Sequence, residues 1–130
     1  MLTLDDVLAA RKRIAGGIYE SPCVESIPLS ELTGARIYCK LDYLQRTGSF
    51  KERGARNALL MLPEDARKRG VIAASAGNHA QGVAYHGSLL GIPVTVVMPT
   101  FAPSARQFVT LMSAANFGIT TVTGMPRRAP

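Results

Sequence analysis

The 130-residue chain is poor in the residues that most often fix the chemistry of a small protein. It has two cysteines, Cys23 and Cys39, neither in a Cys-x-x-Cys pair, which is too few for a disulfide framework. Its two histidines, His79 and His86, lack metal-ligand spacing to any cysteine or carboxylate, so no metal site is expected. No apolar run approaches the roughly 20 residues needed to cross a bilayer, and the acidic start Met1-Leu2-Thr3-Leu4-Asp5-Asp6 is unlike a signal peptide. These absences predict a cytoplasmic protein without a membrane partner.

Acidic residues are missing from the end of the chain. Residues 1–103 hold twelve Lys/Arg against nine Asp/Glu, whereas residues 104–130 hold Arg106, Arg127 and Arg128 and no acid, giving a net charge of +6. The basic runs Arg11-Lys12-Arg13 and Arg67-Lys68-Arg69 have no interleaved aromatics, so they read as solvated helix faces and not as a nucleic-acid platform. What is abundant is apolar: 47% of the residues, enough for a packed core in one domain or part of one.

The pattern predicts a first helix capped by Thr3, with Asp6 as its capping-box partner, stopping at Gly16-Gly17. An irregular stretch with Pro22 and Pro28 follows, then an alternating strand over residues 35–41. Ser49 and Glu52 have capping-box spacing and open a helix that runs to Leu62, before Pro63. A short helix from Glu64 stops at Gly70, and the apolar strand Val71-Ile72-Ala73-Ala74 leads into the turn Ser75-Ala76-Gly77. A helix then runs from Asn78 to about Gly91, and Pro93 to Met98 is a further apolar strand. Alternating apolar strands and helices predict an α/β fold, a parallel sheet with helices on both faces.

Within the helix over residues 50–62, Gly54, Ala55, Ala58, Leu59 and Leu62 form an apolar stripe, with Glu52, Arg53, Arg56 and Asn57 largely opposite. Lys51 stands three and four residues before Gly54 and Ala55, which places it on the stripe expected to be buried. Desolvation and the positive end of the helix dipole both favour an uncharged amine there, the form suited to Schiff-base chemistry. The competing reading, which position alone favours, has Lys51 snorkel from the helix end into water.

Ser75-Ala76-Gly77-Asn78-His79-Ala80-Gln81-Gly82 is a glycine-bearing turn at a helix N-terminus, a natural seat for a carboxylate or phosphate. Asn78 with Gln81 could instead be a capping pair serving the backbone, and a lone His79 is more often structural than catalytic. A dinucleotide site is disfavoured, because the turn lacks G-x-G-x-x-G spacing and no acid ends the strand at Met98-Pro99.

Taken together, Gln45-Arg46-Thr47-Gly48-Ser49-Phe50-Lys51-Glu52-Arg53-Gly54-Ala55 and Ser75-Ala76-Gly77-Asn78-His79-Ala80-Gln81-Gly82 resemble the threonine/serine ammonia-lyases (threonine dehydratases). These are pyridoxal 5'-phosphate (PLP) enzymes of the fold type shared with the tryptophan synthase β chain. Val96-Val97-Met98-Pro99 and then Ala102-Pro103 also fit, so the likeness covers residues 4 to about 103. It implies the N-terminal portion of a fold-type II PLP enzyme, with Lys51 in a Schiff base to PLP and then taking the α-proton of threonine or serine. Loss of the β-hydroxyl would yield a 2-oxo acid and ammonia. Phe50 matches the residue beside the cofactor ring, and Asn78 the one that hydrogen-bonds the ring hydroxyl. Ser75, Gly77, Asn78 and His79 match the loop that holds the substrate carboxylate. Serine racemases of the family carry a serine where Ala76 stands, so the resemblance favours a lyase over a racemase.

The resemblance also marks departures. Family members are much longer, with a glycine-rich phosphate loop and a polar partner for the pyridine nitrogen further along, and no run of glycines follows Lys51 here. We therefore expect residues 1–103 to be the front of a PLP lyase domain and 104–130 a divergent or out-of-frame tail of a truncated longer gene. Within that tail, residues 108–116 could be helical and 119–122 a strand. The alternatives to a lyase are a non-catalytic remnant and a racemase-like PLP enzyme; a homo-oligomer is compatible with either.

Overall fold

The structure, a computed structural model, describes residues 1–99 and the backbone of residues 120–125. Helix α1 (Leu4–Ile14) begins as the sequence predicts: Thr3 Oγ1 accepts from the Asp6 amide while the Asp6 carboxylate accepts from the Thr3 amide. Its apolar residues Leu4, Val7 and Leu8 are nevertheless exposed, and only Ile14 is buried.

The stretch expected to be irregular is ordered. Strand β1 (Cys23–Glu25) is followed by helix α2 (Ile27–Thr33), with Pro28 at the start of the helix where a missing N–H costs nothing. The strand expected over residues 35–41 shortens to β2 (Tyr38–Lys40), which pairs antiparallel with β1 and lies outside the parallel sheet.

Three parallel strands form the main sheet in the order β3 (Val71–Ala74), β4 (Val94–Pro99), β5 (Thr120–Met125). Val71 is in register with Val94, and Val94 with Thr120. Helix α3 (Lys51–Leu60) and the short α4 (Glu64–Arg69) precede β3, and α5 (Asn78–Leu89) links it to β4. Gly70 makes the turn into β3 at φ +86°, where an added Cβ would stand 2.5 Å from the Pro93 carbonyl oxygen, so only glycine fits. The core consists of Ala55, Ala73, Ala80, Val83, Val94, Val96 and Met98, packed between α5, the sheet and one face of α3. The chain is thus an α/β fold built on parallel strands, the class its sequence predicts. The expected strand at residues 119–122 is met by β5, while the helix at 108–116, Ala102, Pro103, Arg106 and the boundary at 103 lie outside the described residues.

The face that α3 buries differs from the one its apolar letters suggest. Glu52, Ala55 and Leu59 are buried, spaced three and four residues apart, whereas Gly54 and Ala58 are exposed. Gly54, Ala58 and Leu62 instead flank an open apolar cavity of about 180 Å³, shared with Ile72, His79 and Val83. The Ser49–Glu52 capping box does not form either. Phe50 occupies the N-cap without a side-chain bond, and Glu52 turns to Thr47.

Candidate active site

The segment before α3 is tied down from both sides. Gln45 is buried and brackets Tyr19, its Oε1 accepting from the Tyr19 amide and its Nε2 donating to the Tyr19 carbonyl. The chain turns at Gly48 with φ +70°, a conformation glycine adopts without strain. Arg53 grips the Asp42 carboxylate through Nη2 at 2.9 Å and Nε at 3.2 Å and also reaches Ser21 Oγ. That guanidinium holds the Asp42 carboxyl at about 2, below the ordinary carboxylate range.

From this frame Phe50 and Lys51 project outward. Both are exposed, Phe50 at 64%, and Lys51 does not line the cavity beside α3. The expected burial of Lys51 is therefore corrected: the residue is exposed at the start of α3. The cause is the rotation of α3 described above, since the edge of the stripe that carries Lys51, Gly54 and Ala58 is open while Ala55 and Leu59 are buried.

The second motif forms as a strand–turn–helix. The Ser75 amide donates to the Val97 carbonyl, continuing the strand pairing, and the Gly77 amide donates to Ser75 Oγ at 3.2 Å. Gly77, not Asn78, is the N-cap of α5, in an extended conformation and with no side-chain cap, and the first turn carries no acid. An uncapped start of this kind presents backbone N–H groups and positive dipole to an anion. Asn78 and His79 are exposed in that turn, and His79 also borders the apolar cavity.

Gly82 brings the two motifs together. A Cβ there would lie 3.4 Å from Ala55 Cβ and from Glu52 Cα, so α3 and α5 cross with their backbones close. Asn78 is four residues, about one helical turn, back from that crossing. The first turn of α3, which holds Lys51, thus meets the N-terminal half of α5.

Beneath the crossing lies a polar cluster the sequence motifs did not announce. Glu52 and His86 have no solvent exposure, and Glu52 Oε1 is 3.3 Å from His86 Nε2. Glu52 Oε2 accepts from the Thr47 amide at 2.8 Å and from Thr47 Oγ1 at 3.0 Å. On the far side of the imidazole, Arg56 Nη1 stands 3.5 Å from Nδ1. Burial pushes the His86 pKa down to about 4; the Glu52 carboxylate opposes this and the Arg56 guanidinium adds to it. Among the described residues, Glu52 Oε1 and His86 Nε2 face each other at 3.3 Å without completing a hydrogen bond. The signal was available in the sequence: α5 has no Asp, Glu, Lys or Arg, so a histidine among Val83, Ala84 and Gly87 has a buried face to join.

The model of a family described as "Pyridoxal-phosphate dependent enzyme" matches residues 14–129. An L-threonine ammonia-lyase of Thermotoga maritima is 50% identical over 106 residues, covering 82% of this chain and 26% of that protein. An L-threo-3-hydroxyaspartate ammonia-lyase of a Pseudomonas species is 47% identical over 117 residues, 90% of this chain and 35% of its own. Among solved structures, the serine racemase of Dictyostelium discoideum superimposes with a TM-score of 0.88 at 35% identity, covering 98% of this chain and 40% of that one. The chain spans about a quarter to a third of the length of these two curated relatives.

Proposed function

This chain belongs to the pyridoxal-phosphate dependent enzymes, and from that premise we propose that it is the lysine-bearing part of an ammonia-lyase acting on L-threonine or L-serine. The observation that carries the reading is the 50% identity to an L-threonine ammonia-lyase. A match of 106 residues within a chain of 130 must include residues 25–106, hence both motifs.

When bound, PLP supplies an electron sink for the bond-breaking at the substrate α-carbon. The chain's own residues do the rest. Lys51 would provide the amine that holds the cofactor aldehyde and would serve as the base for the substrate α-proton. Phe50 would help to hold the cofactor by packing, and Asn78 as a hydrogen-bond donor. The uncapped turn at Ser75, Gly77, Asn78 and His79 receives the substrate carboxylate, which its N–H groups and dipole suit. Ala76 has no group that could return a proton from the opposite face, so elimination is favoured over racemisation.

Exposure of Lys51 and Phe50 supports a second reading, a chain that is catalytically silent by itself. Relatives about two and a half to three times as long have further chain available to enclose such a face. Two measurements separate the readings. Borohydride reduction of the chain with PLP should leave a phosphopyridoxyl group on Lys51, located by peptide mass spectrometry. Release of 2-oxobutyrate from L-threonine then tests for turnover. A modified Lys51 without turnover supports the silent reading, and an unmodified Lys51 rejects the cofactor assignment.

A further inference from the structure

The buried pair beneath the α3–α5 crossing is used by no step above. Neither Glu52 nor His86 reaches the surface, so neither can touch a substrate. Burying a carboxylate and an imidazole is costly, and two apolar side chains of similar size would pack there more cheaply. What they could not do is hold a backbone N–H in a fixed direction.

Glu52 does so at Thr47, five residues earlier in the chain. Its two hydrogen bonds close a loop that contains Gly48, Ser49, Phe50 and Lys51, the stretch that turns left-handed at Gly48 and enters α3 without a side-chain cap. The other carboxylate oxygen packs 3.3 Å from His86 Nε2 without completing a hydrogen bond, and His86 Nδ1 stands 3.5 Å from Arg56 Nη1, so buried contact with α5 backs the loop. Gly82 keeps the two helices close enough for this contact.

We propose that Glu52 and His86 are a positioning pair that clamps the Thr47–Glu52 loop and thereby sets where the Lys51 amine stands. The inference deepens the reading of Lys51 given above and rests on it for its consequence.

The test uses the full chain, PLP with borohydride as the probe, and the exposed Lys12 and Lys68 as internal references. In wild type Lys51 is modified faster than the references. Glu52→Gln slows Lys51 modification about tenfold relative to them and speeds exchange of the Thr47 amide by a similar factor, the worth of one charge-assisted hydrogen bond. Glu52→Leu combined with His86→Leu keeps the helices packed, melts at or above wild type, and still shows the slowed Lys51. Should that double variant modify Lys51 at the wild-type rate, the pair is structural only and the proposal is overturned. If wild type shows no preference for Lys51, the cofactor reading fails instead. The clamp is then decided by Thr47 exchange in Glu52→Gln, which upholds it if faster and overturns it if unchanged.

Discussion

Asp42 and Arg53 form a two-pronged ion pair, with Arg53 Nη2 2.9 Å from Asp42 Oδ1 and Nε 3.2 Å from Oδ2. It joins the turn after β2 to α3 two residues beyond Lys51. Because folding lowers the Asp42 pKa from 3.8 to about 2, the pair's contribution is complete above about pH 4. It is lost as pH falls through that window, where the unfolded chain binds the proton and the folded one resists it. Asp42→Asn should lower stability at pH 7 by about 1–2 kcal/mol, since Arg53 and Asp42 are only partly screened from water. Urea melts of both proteins at pH 7 and pH 2.5 check this; an equal difference at the two pH values would contradict the assignment.

Gly87 is a packing requirement. A Cβ at this position would stand 2.2 Å from Val94 Cγ2 and 3.1 Å from the Ile92 carbonyl, both in the floor of the core. Gly87→Ala must push α5 away from β4, at a cost of about 1–3 kcal/mol. Better helix propensity offsets only about 1 kcal/mol of that. Thermal melts should therefore show a destabilised protein, and a melting temperature equal to or above wild type would mean α5 has room to move.

Lys51 gives the converse expectation. It is exposed and its side chain makes no hydrogen bond or ion pair among the described residues, so Lys51→Ala should change stability by less than about 0.5 kcal/mol. The same substitution should abolish the visible absorbance that PLP gains on binding and the borohydride adduct. Absorbance titration of wild type and variant decides it: identical spectra would remove Lys51 from the site while leaving the fold untouched.

How much of this could be read from the chain depends on the range of the interaction. The Thr3–Asp6 capping box, the stop at Gly70 and the two apolar strands β3 and β4 are local, and the sequence predicts each of them. Pro28 misleads because proline breaks a helix interior but suits its first turn, so α2 reads as a loop. On α3, counting apolar letters places Gly54 and Ala58 inside and Glu52 outside, the reverse of the structure. The missing information lies beyond the helix itself: Glu52 is buried where Thr47 donates to one carboxylate oxygen and His86, from another helix, stands against the other. The error about Lys51 follows from the same omission, since its burial was inferred from the wrong side of the helix. The proposal for Lys51 therefore rests on the motif and not on burial.

His86 makes the final prediction. Its ring is flanked by Glu52 and Arg56 of α3 and by the neighbouring Tyr85 ring at 5.0 Å, with the Arg46 charge nearby. Burial and the guanidinium keep it neutral until about pH 4, whereas in the unfolded chain it takes up a proton near 6.5. Between those values the unfolded state binds more protons, so stability falls as pH is lowered from 6.5 to 4 and is unaffected by this residue above 6.5. The slope approaches about 1 kcal/mol per pH unit. In His86→Gln that slope should disappear, while His79 remains in both proteins and cancels in the difference. Denaturant melts of the pair at pH 7.5, 6, 5 and 4.5 measure it. A stability gap that widens toward acid, with wild type ahead, would show that His86 is held as a cation by Glu52, and the neutral imidazole between Arg56 and Glu52 would have to be abandoned.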